Sequence, residues 1–382
     1  MTGLPEAPDG RVTGGPEAPG RAGAGAEPRH ERIPLAARAR WEAALRGVPH
    51  AIAHTWGWCR ALHSGSAEDA WLYRFEAGEG RVVCPFVERR MPEGVDLVTP
   101  YGFSGFAGAG PRHDFPRRWA EFARAEGYVC GYVGLHPVLA DPSNYDPADA
   151  HVHHQLYLLD LTLGSERLFA GLSTNRRRQL RDWEAIRSAI RLDREPLTEF
   201  LLARYAEFFR EKGATAAYAF TPATMAGLAK LDGVLVVGAG RGSTIEAVSL
   251  FGYTPYAADF LFNVALPEGR RHSAALIWYA VQALREAGAP VLNLGGGVRD
   301  GDSLAEFKRR FGAAQAPFVA LKQVYDPAAY ARACRGAGAD PRDRSGYFPA
   351  YRRPGAVTEA EAGAARSVTG VSPTPQAVER LP

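Results

Sequence analysis

Residues 273–287 are alanine-rich and apolar nearly all round, with polar side chains chiefly at Gln282, Arg285 and Glu286, and Gly288 follows them. This predicts a helix stopped by its glycine, buried against a sheet on one side and against further structure on the other. A short apolar strand, Val291-Leu292-Asn293-Leu294, comes next, then Gly295-Gly296-Gly297 and the segment Phe307-Lys308-Arg309-Arg310-Phe311-Gly312. Upstream of the helix, alternating and apolar runs predict strands near 234–238, 245–252 and 257–264. The same order is written earlier in different letters. Strands are expected near 71–75, 81–88 and 95–99, then a helix over 116–126 opened by Pro116 and stopped by Gly127, then a strand at 128–134. Three strands, a helix and a strand, twice over, predict two α/β units with mixed sheets flanked by helices.

The chain has 382 residues, more than one hydrophobic core accommodates, since single cores stop growing at about 250–300 residues. Two domains are expected: 34–160 joined by a returning strand and tail at 318–333, and 161–317. Residues 1–33 and 334–382 are rich in Pro, Gly, Ala and Glu, the latter relieved only by Tyr347, Phe348 and Tyr351. Both are expected to be disordered tails. Between the units, one helix is expected that Ser165 caps and that Asn175 or Thr174 restarts toward Ile190, and another over 196–212.

The net charge is only +3, and the cations are overwhelmingly arginine, with lysine at 212, 230, 308 and 322 alone. That balance argues against a uniform basic coat and against DNA as a partner, while leaving local arginine clusters available. Cys59, Cys84, Cys130 and Cys334 are widely spaced, with no CxxC pair, which predicts a reducing compartment rather than a disulfide framework. Without an 18-residue apolar run or a signal-peptide pattern, the expectation is a cytoplasmic protein with no integral membrane association.

Several segments, in order, resemble the FemX/FemAB transferases. They are Glu246 through Phe262, Pro267-Glu268, Arg270-Arg271, Leu276 to Trp278, Gly288, Leu294-Gly295-Gly296, Phe307-Lys308 and Phe311-Gly312. Leu156 to Asp160 with Arg176-Arg177-Arg178 and Leu180-Arg181 resembles the start of that family's second domain, and Thr99-Pro100-Tyr101-Gly102-Phe103-Ser104-Gly105 resembles a loop of its first. The resemblance implies tandem acetyltransferase-like (GNAT) domains. The implied activity carries an aminoacyl group from aminoacyl-tRNA to an amine. It implies an oxyanion-stabilising role for Lys308, a pocket shaped by Phe307, and acceptor contacts from Arg204 with Tyr205, or from Arg210. The coiled-coil arm of some relatives has no counterpart here. A small amine-bearing acceptor from secondary metabolism, such as antibiotic biosynthesis, is therefore expected alongside a peptidoglycan precursor.

Elementary chemistry points to some of the same residues. Amide formation from an ester passes through a tetrahedral oxyanion, and a fixed cation stabilises charge that exists only in the transition state. Lysine is scarce in this chain, so Lys308 is the candidate, with a solvated basic turn as its competing reading. The ester is already activated, so no metal or cofactor is expected. Arg176, Arg177, Arg178 and Arg181 can present guanidinium forks to phosphate, with Arg177 and Arg181 one helical turn apart and so on one face, and a solvated helix face is the competing reading. Arg270-Arg271-His272-Ser273 approximates an acetyltransferase pyrophosphate loop with Ser273 in place of glycine, and this motivates an alternative, an acyl-CoA-dependent N-acyltransferase. A second alternative is a non-catalytic binding protein of the same fold. His151, His153 and His154 lack a complete ligand set, so no metal site is assigned. Asp96 and Asp259 read as isolated carboxylates, Asp300 as a possible contact for the substrate amine, and Tyr101 and Tyr256 as cleft residues.

Overall fold

The computed structural model describes residues 27–63, 66, 68–211, 220–297, 299 and 301–353. The first half carries β1 (Arg29–Pro34), α1 (Arg38–Leu45), α2 (Trp56–Leu62), β2 (Asp69–Ala77), β3 (Gly80–Met91), β4 (Gly94–Val98), β5 (Ala107–Ala109), α3 (Phe115–Ala125) and β6 (Tyr128–Gly134). Then come β7 (Ala150–Asp160), α4 (Ser165–Gly171), α5 (Thr174–Gln179), α6 (Trp183–Ser188), α7 (Arg194–Glu211) and α8 (Pro222–Ala229). The second half continues through β8 (Val234–Arg241), β9 (Thr244–Tyr253), β10 (Ala258–Ala265), α9 (Ser273–Glu286), β11 (Val291–Gly296), α10 (Ser303–Arg309), β12 (Ala314–Val324) and α11 (Pro327–Gly336).

The strands form one mixed sheet in the order β1-β2-β3-β4-β6-β12-β7-β11-β10-β9-β8, with β5 pairing β3 off this path. The doubled sequence pattern is visible in it. In each half three strands pair antiparallel, a helix crosses over, and the next strand lies parallel to the third: β4 with β6, and β10 with β11. The closing strand of each half then pairs antiparallel, β12 on β6 and β7 on β11, and β7 pairs β12 where the halves meet. The returning strand expected at 318–325 is thus β12, beginning four residues earlier.

Alternate residues of β8 enter opposite cores. Val234 and Val236 face α7 and α8 in a core that also holds Trp41, Trp58, Leu72 and Val83 of the first half. Val237 and Ala239 face α9, whose Leu276, Ile277, Val281 and Leu284 are buried. Because one core contains side chains of both halves, the halves are fused through apolar packing as well as through the sheet. Trp119 and Phe115 of α3 cover the outer face of the first half, beside Tyr73, Phe75 and Phe106.

Four sequence expectations are corrected. Residues 29–33 belong to a strand paired along its length with β2, not to a tail. Residues 334–353 are ordered as well: Cys334 and Phe348 are buried with Tyr330. The buried Asp96 carboxylate, far from isolated, accepts from Arg89 (2.6 Å), Arg352 Nε (2.6 Å) and the Tyr351 hydroxyl (2.8 Å). The single helix expected toward Ile190 is broken into α5 and α6, and Arg181 lies in the turn between them.

Arg352 is about a quarter exposed, and Asp96 keeps two other donors when it is removed. Arg352→Ala is therefore expected to lower stability by about 1–3 kcal/mol, the cost of one lost charge-assisted hydrogen bond. Urea unfolding followed by tryptophan fluorescence measures it. An unchanged midpoint would show that the C-terminal segment contributes nothing to the first-half sheet.

Candidate active site

Two irregularities on either side of β7 shape the region around the glycine run. Asn293 pairs with Leu158 and Gly296 with Leu156, so β11 takes three steps where β7 takes two. The extra residue falls at Leu294-Gly295, and Gly295 adopts φ +73°, a left-handed conformation that glycine accepts without steric cost. On the other edge Pro317 pairs with Gln155 and Val319 with Val152, so here β7 carries the extra residue and both His153 and His154 fall opposite Phe318. Bulges re-aim side chains; the ring centroids of His153 and His154 lie 5.5 and 5.3 Å from that of Phe318.

The second half also opens where the first does not. β10 and β11 pair only at Ala258–Leu292 and Asp259–Asn293 and then part, whereas β4 and β6 stay paired over four positions. Buried polar groups floor this opening. Asn293 Nδ2 donates to Asp259 Oδ1 at 3.0 Å, and Asn293 Oδ1 accepts from the Gly295 amide at 2.9 Å. His136, which follows β6 in the first half, approaches Asp259 Oδ1 at 3.5 Å through Nε2. The amides of Val138 and Leu139 donate to His136 Nδ1, which leaves Nε2 as the N–H directed at the carboxylate. Asp259 is therefore not isolated. Its partners were hidden from sequence reasoning because they come from two distant segments.

Lys308 reaches the end of β11 from α10. α10 is capped by Asp302, which accepts from the Ala305 amide at 2.7 Å. Lys308 is only 7% exposed, and its Nζ donates to the Gly296 carbonyl at 2.7 Å. A side chain at position 295 would come within 3.1 Å of that Nζ, so the glycine provides room for the ammonium. Burial pushes the Lys308 pKa down to about 8, with Asp302 partly opposing the shift. The solvated members of the basic run are Arg309 and Arg310, which share Glu306 and hold its carboxyl down at about 2.

Phe307 packs edge-on to Phe311 at 5.5 Å, and the Arg176 guanidinium lies 4.3 Å over the Phe307 ring. Arg176 is buried and bonds Gln179 through one terminal nitrogen at 2.7 Å. Arg176, grouped with its neighbours as a phosphate-clamp candidate from the sequence, instead pins α5 to α10 by cation–π contact. Arg177 and Arg181 are exposed. A groove of about 560 Å³ runs between the start of α5 and the end of α10, lined by Ser173, Thr174, Asn175, Arg309 and Arg310 among others.

The remaining candidates lie elsewhere. α7 packs on the face of the sheet opposite α9 and α10. There Tyr205 is a buried core residue against Phe209, Phe262 and Phe220, while Arg204 pairs with Glu207 in solvent and Arg210 is exposed. Tyr101 stacks on Phe262 at 5.6 Å between the halves, and the Tyr256 ring lies 5.4 Å from His50. Before α9, the chain forms a 3₁₀ turn, Glu268–His272, that runs straight into the helix, and the Ser273 amide donates to Arg270 O. Arg271 pairs with Glu246 at 2.5 Å and Arg270 is exposed. Asp300 lies outside the described residues. Among the described residues no group of three His, Cys, Asp or Glu side chains has the arrangement of a metal site, and no helix is long and apolar enough to cross a membrane.

The depressed pKa of Lys308 has a thermodynamic signature. Between about 8 and the ordinary 10.5, the unfolded chain holds a proton at this position that the folded chain has released. Stability from this group is therefore present above that window and is lost as pH falls through the folded value. Relative to Lys308→Met, wild-type stability should climb as pH rises from 8 to 10.5 in parallel urea melts. A difference that stays flat would place the ammonium in solvent.

No family model and no curated protein matches the chain in sequence. Solved structures do match in shape. FemX superposes with a TM-score of 0.58 at 12% identity, covering 79% of this chain and 98% of that one. A conserved protein of unknown function from Bacteroides thetaiotaomicron gives 0.52 at 12% identity, covering 77% and 99%. At this identity the likeness concerns the fold: the chain has a FemX-like fold, a central mixed sheet flanked by helices.

Proposed function

We propose that this protein is an acyltransferase that forms an amide by moving an aminoacyl group from aminoacyl-tRNA to the amine of a small acceptor, in a tandem acetyltransferase-like framework. The observation that carries the reading is the ammonium of Lys308. It is removed from water and fixed at the end of β11 on the Gly296 carbonyl at 2.7 Å. A preorganised cation in a dry site needs no reorganisation when negative charge develops on the ester oxygen. The rest of the task is to hold ester and amine together.

The donor's phosphates have an exposed arginine band to meet. Arg177, Arg178 and Arg181 are exposed on α5 and in the turn after it, and the first residues of α5 line a groove together with Arg309 and Arg310. Two of these arginines share a single carboxylate, Glu306, so the groove keeps net positive charge. The acyl-CoA alternative requires open amides at the start of α9, and there the Ser273 amide is already bonded to Arg270. That observation favours aminoacyl-tRNA over acyl-CoA as the donor.

With a candidate amine acceptor, charged tRNA should give product that ribonuclease abolishes, and acetyl-CoA should give none. Ribonuclease-insensitive turnover with acyl-CoA would reverse the donor assignment. Lys308→Ala is expected to lower kcat by about 10²–10³ with little change in donor affinity, the scale of one lost oxyanion donor. Lys308→Arg should rescue poorly, since a planar fork cannot take the place of a compact ammonium. Arg177→Ala and Arg181→Ala should weaken donor binding and flatten its salt dependence by about one charge each. Near wild-type kcat in Lys308→Ala would leave the buried lysine a structural role only.

A further inference from the structure

The transferase reading leaves the proton of the attacking amine without a destination, and the bulge in β7 supplies one. We propose that His154 is the proton acceptor of the reaction, working across Gly296 from Lys308; this rests on the acyl-transfer reading above.

Three observations place it there. First, the extra residue in β7 opposite Phe318 lets two consecutive histidines touch the same ring, which a regular strand forbids because neighbours point to opposite faces. Second, the imidazole packs directly on Gly296: a methyl group built there would lie 2.5 Å from His154 Cδ2 and 2.8 Å from Nε2. The same residue's carbonyl holds Lys308 Nζ. A cation and an imidazole therefore touch one glycine, and only glycine leaves room for that approach. Third, His154 is half-buried, sheltered yet reachable by a substrate in a way that the fully buried His136 and His54 are not.

In the step, an acceptor entering as the free amine attacks the ester carbonyl carbon. The C–N bond forms, and the carbonyl π pair moves to the oxygen, where the Lys308 ammonium stabilises it. The tetrahedral nitrogen loses one proton to His154. The carbonyl re-forms, the C–O bond to the ribose breaks, and the leaving oxygen takes the proton back from the imidazolium. One amide and one free hydroxyl are produced, and His154 ends neutral.

The charged and titratable neighbours suit this cycle. His153 on the same strand is driven down to about 4 by burial, Lys322 and the other histidines, so it stays neutral beside His154. Tyr132 of β6, in ring contact with His153 at 6.0 Å, has its phenol held up at about 12 by burial. Lys308 faces from α10.

The test compares wild type, His154→Ala and His154→Gln on whichever donor, charged tRNA or acyl-CoA, the wild type turns over. Wild-type kcat/KM is expected to fall on an acidic limb, and His154→Ala should lose that limb, lower kcat by about 10²–10⁴, and recover part of its rate in added imidazole. His154→Gln retains bulk against Gly296 and Phe318 but takes no proton, so it should be as slow as the alanine variant, and it carries the test if the latter does not fold. Wild-type kcat in a folded variant overturns the proposal alone. A wild type inert with both donors overturns the transferase reading and this proposal with it.

Discussion

The antiparallel pairing of β7 with β12 is the constraint on which the rest of this structure depends. It makes one sheet of two repeated halves, and it makes β7 an inner strand hydrogen-bonded on both edges. An inner strand cannot absorb irregularity by fraying. The bulge at Leu294-Gly295 on one neighbour and the bulge at His153-His154 in β7 itself are therefore held in fixed mutual positions. The carbonyl of Gly296 is presented to Lys308 from one side and its Cα to His154 from the other.

Holding a lysine ammonium out of water is costly, and the surrounding elements offset that cost. The Gly296 carbonyl accepts from it, Asp302 lies near enough to favour its charge, and the Phe307-Phe311 pair with Arg176 above it fixes the helix that carries it. Beneath the turn, the hydrogen-bonded links from Asp259 through Asn293 to the Gly295 amide tie its backbone to the floor of the opening, where His136 of the first half also reaches. The site is thus built by the second half and buttressed by the first. That division matches the sheet, whose parallel strands part in the second half alone.

Much of this was legible in the sequence wherever the signal is local. Helix stops at Gly127 and Gly288 and the strand order of both halves follow from periodicity and punctuation. The FKRRFG segment was recognisable as carrying the candidate cation. What escaped depends on cross-strand register. No periodicity announces a bulge, so His154 read as one of three histidines without a complete metal-ligand set, and Asp259 as a carboxylate without partners. Arg176 looked like Arg177 and Arg178, because which arginine of a run turns inward is decided by α10, far along the chain. The C-terminal segment misled for another reason: Phe348, Tyr351 and Arg352 are too dilute among Pro, Gly and Ala to signal packing by composition, yet they meet a preformed partner in Asp96 and the apolar surface around Tyr330.

The central claim is that the Lys308 ammonium stabilises the oxyanion of an acyl transfer. A single-turnover experiment tests it most directly, with enzyme in excess over tRNA carrying a labelled amino acid and the acceptor saturating. Lys308→Met, which keeps the buried volume, should slow the chemical step by about 100-fold or more while donor affinity stays within about twofold. Equal single-turnover rates in wild type and Lys308→Met would contradict the account.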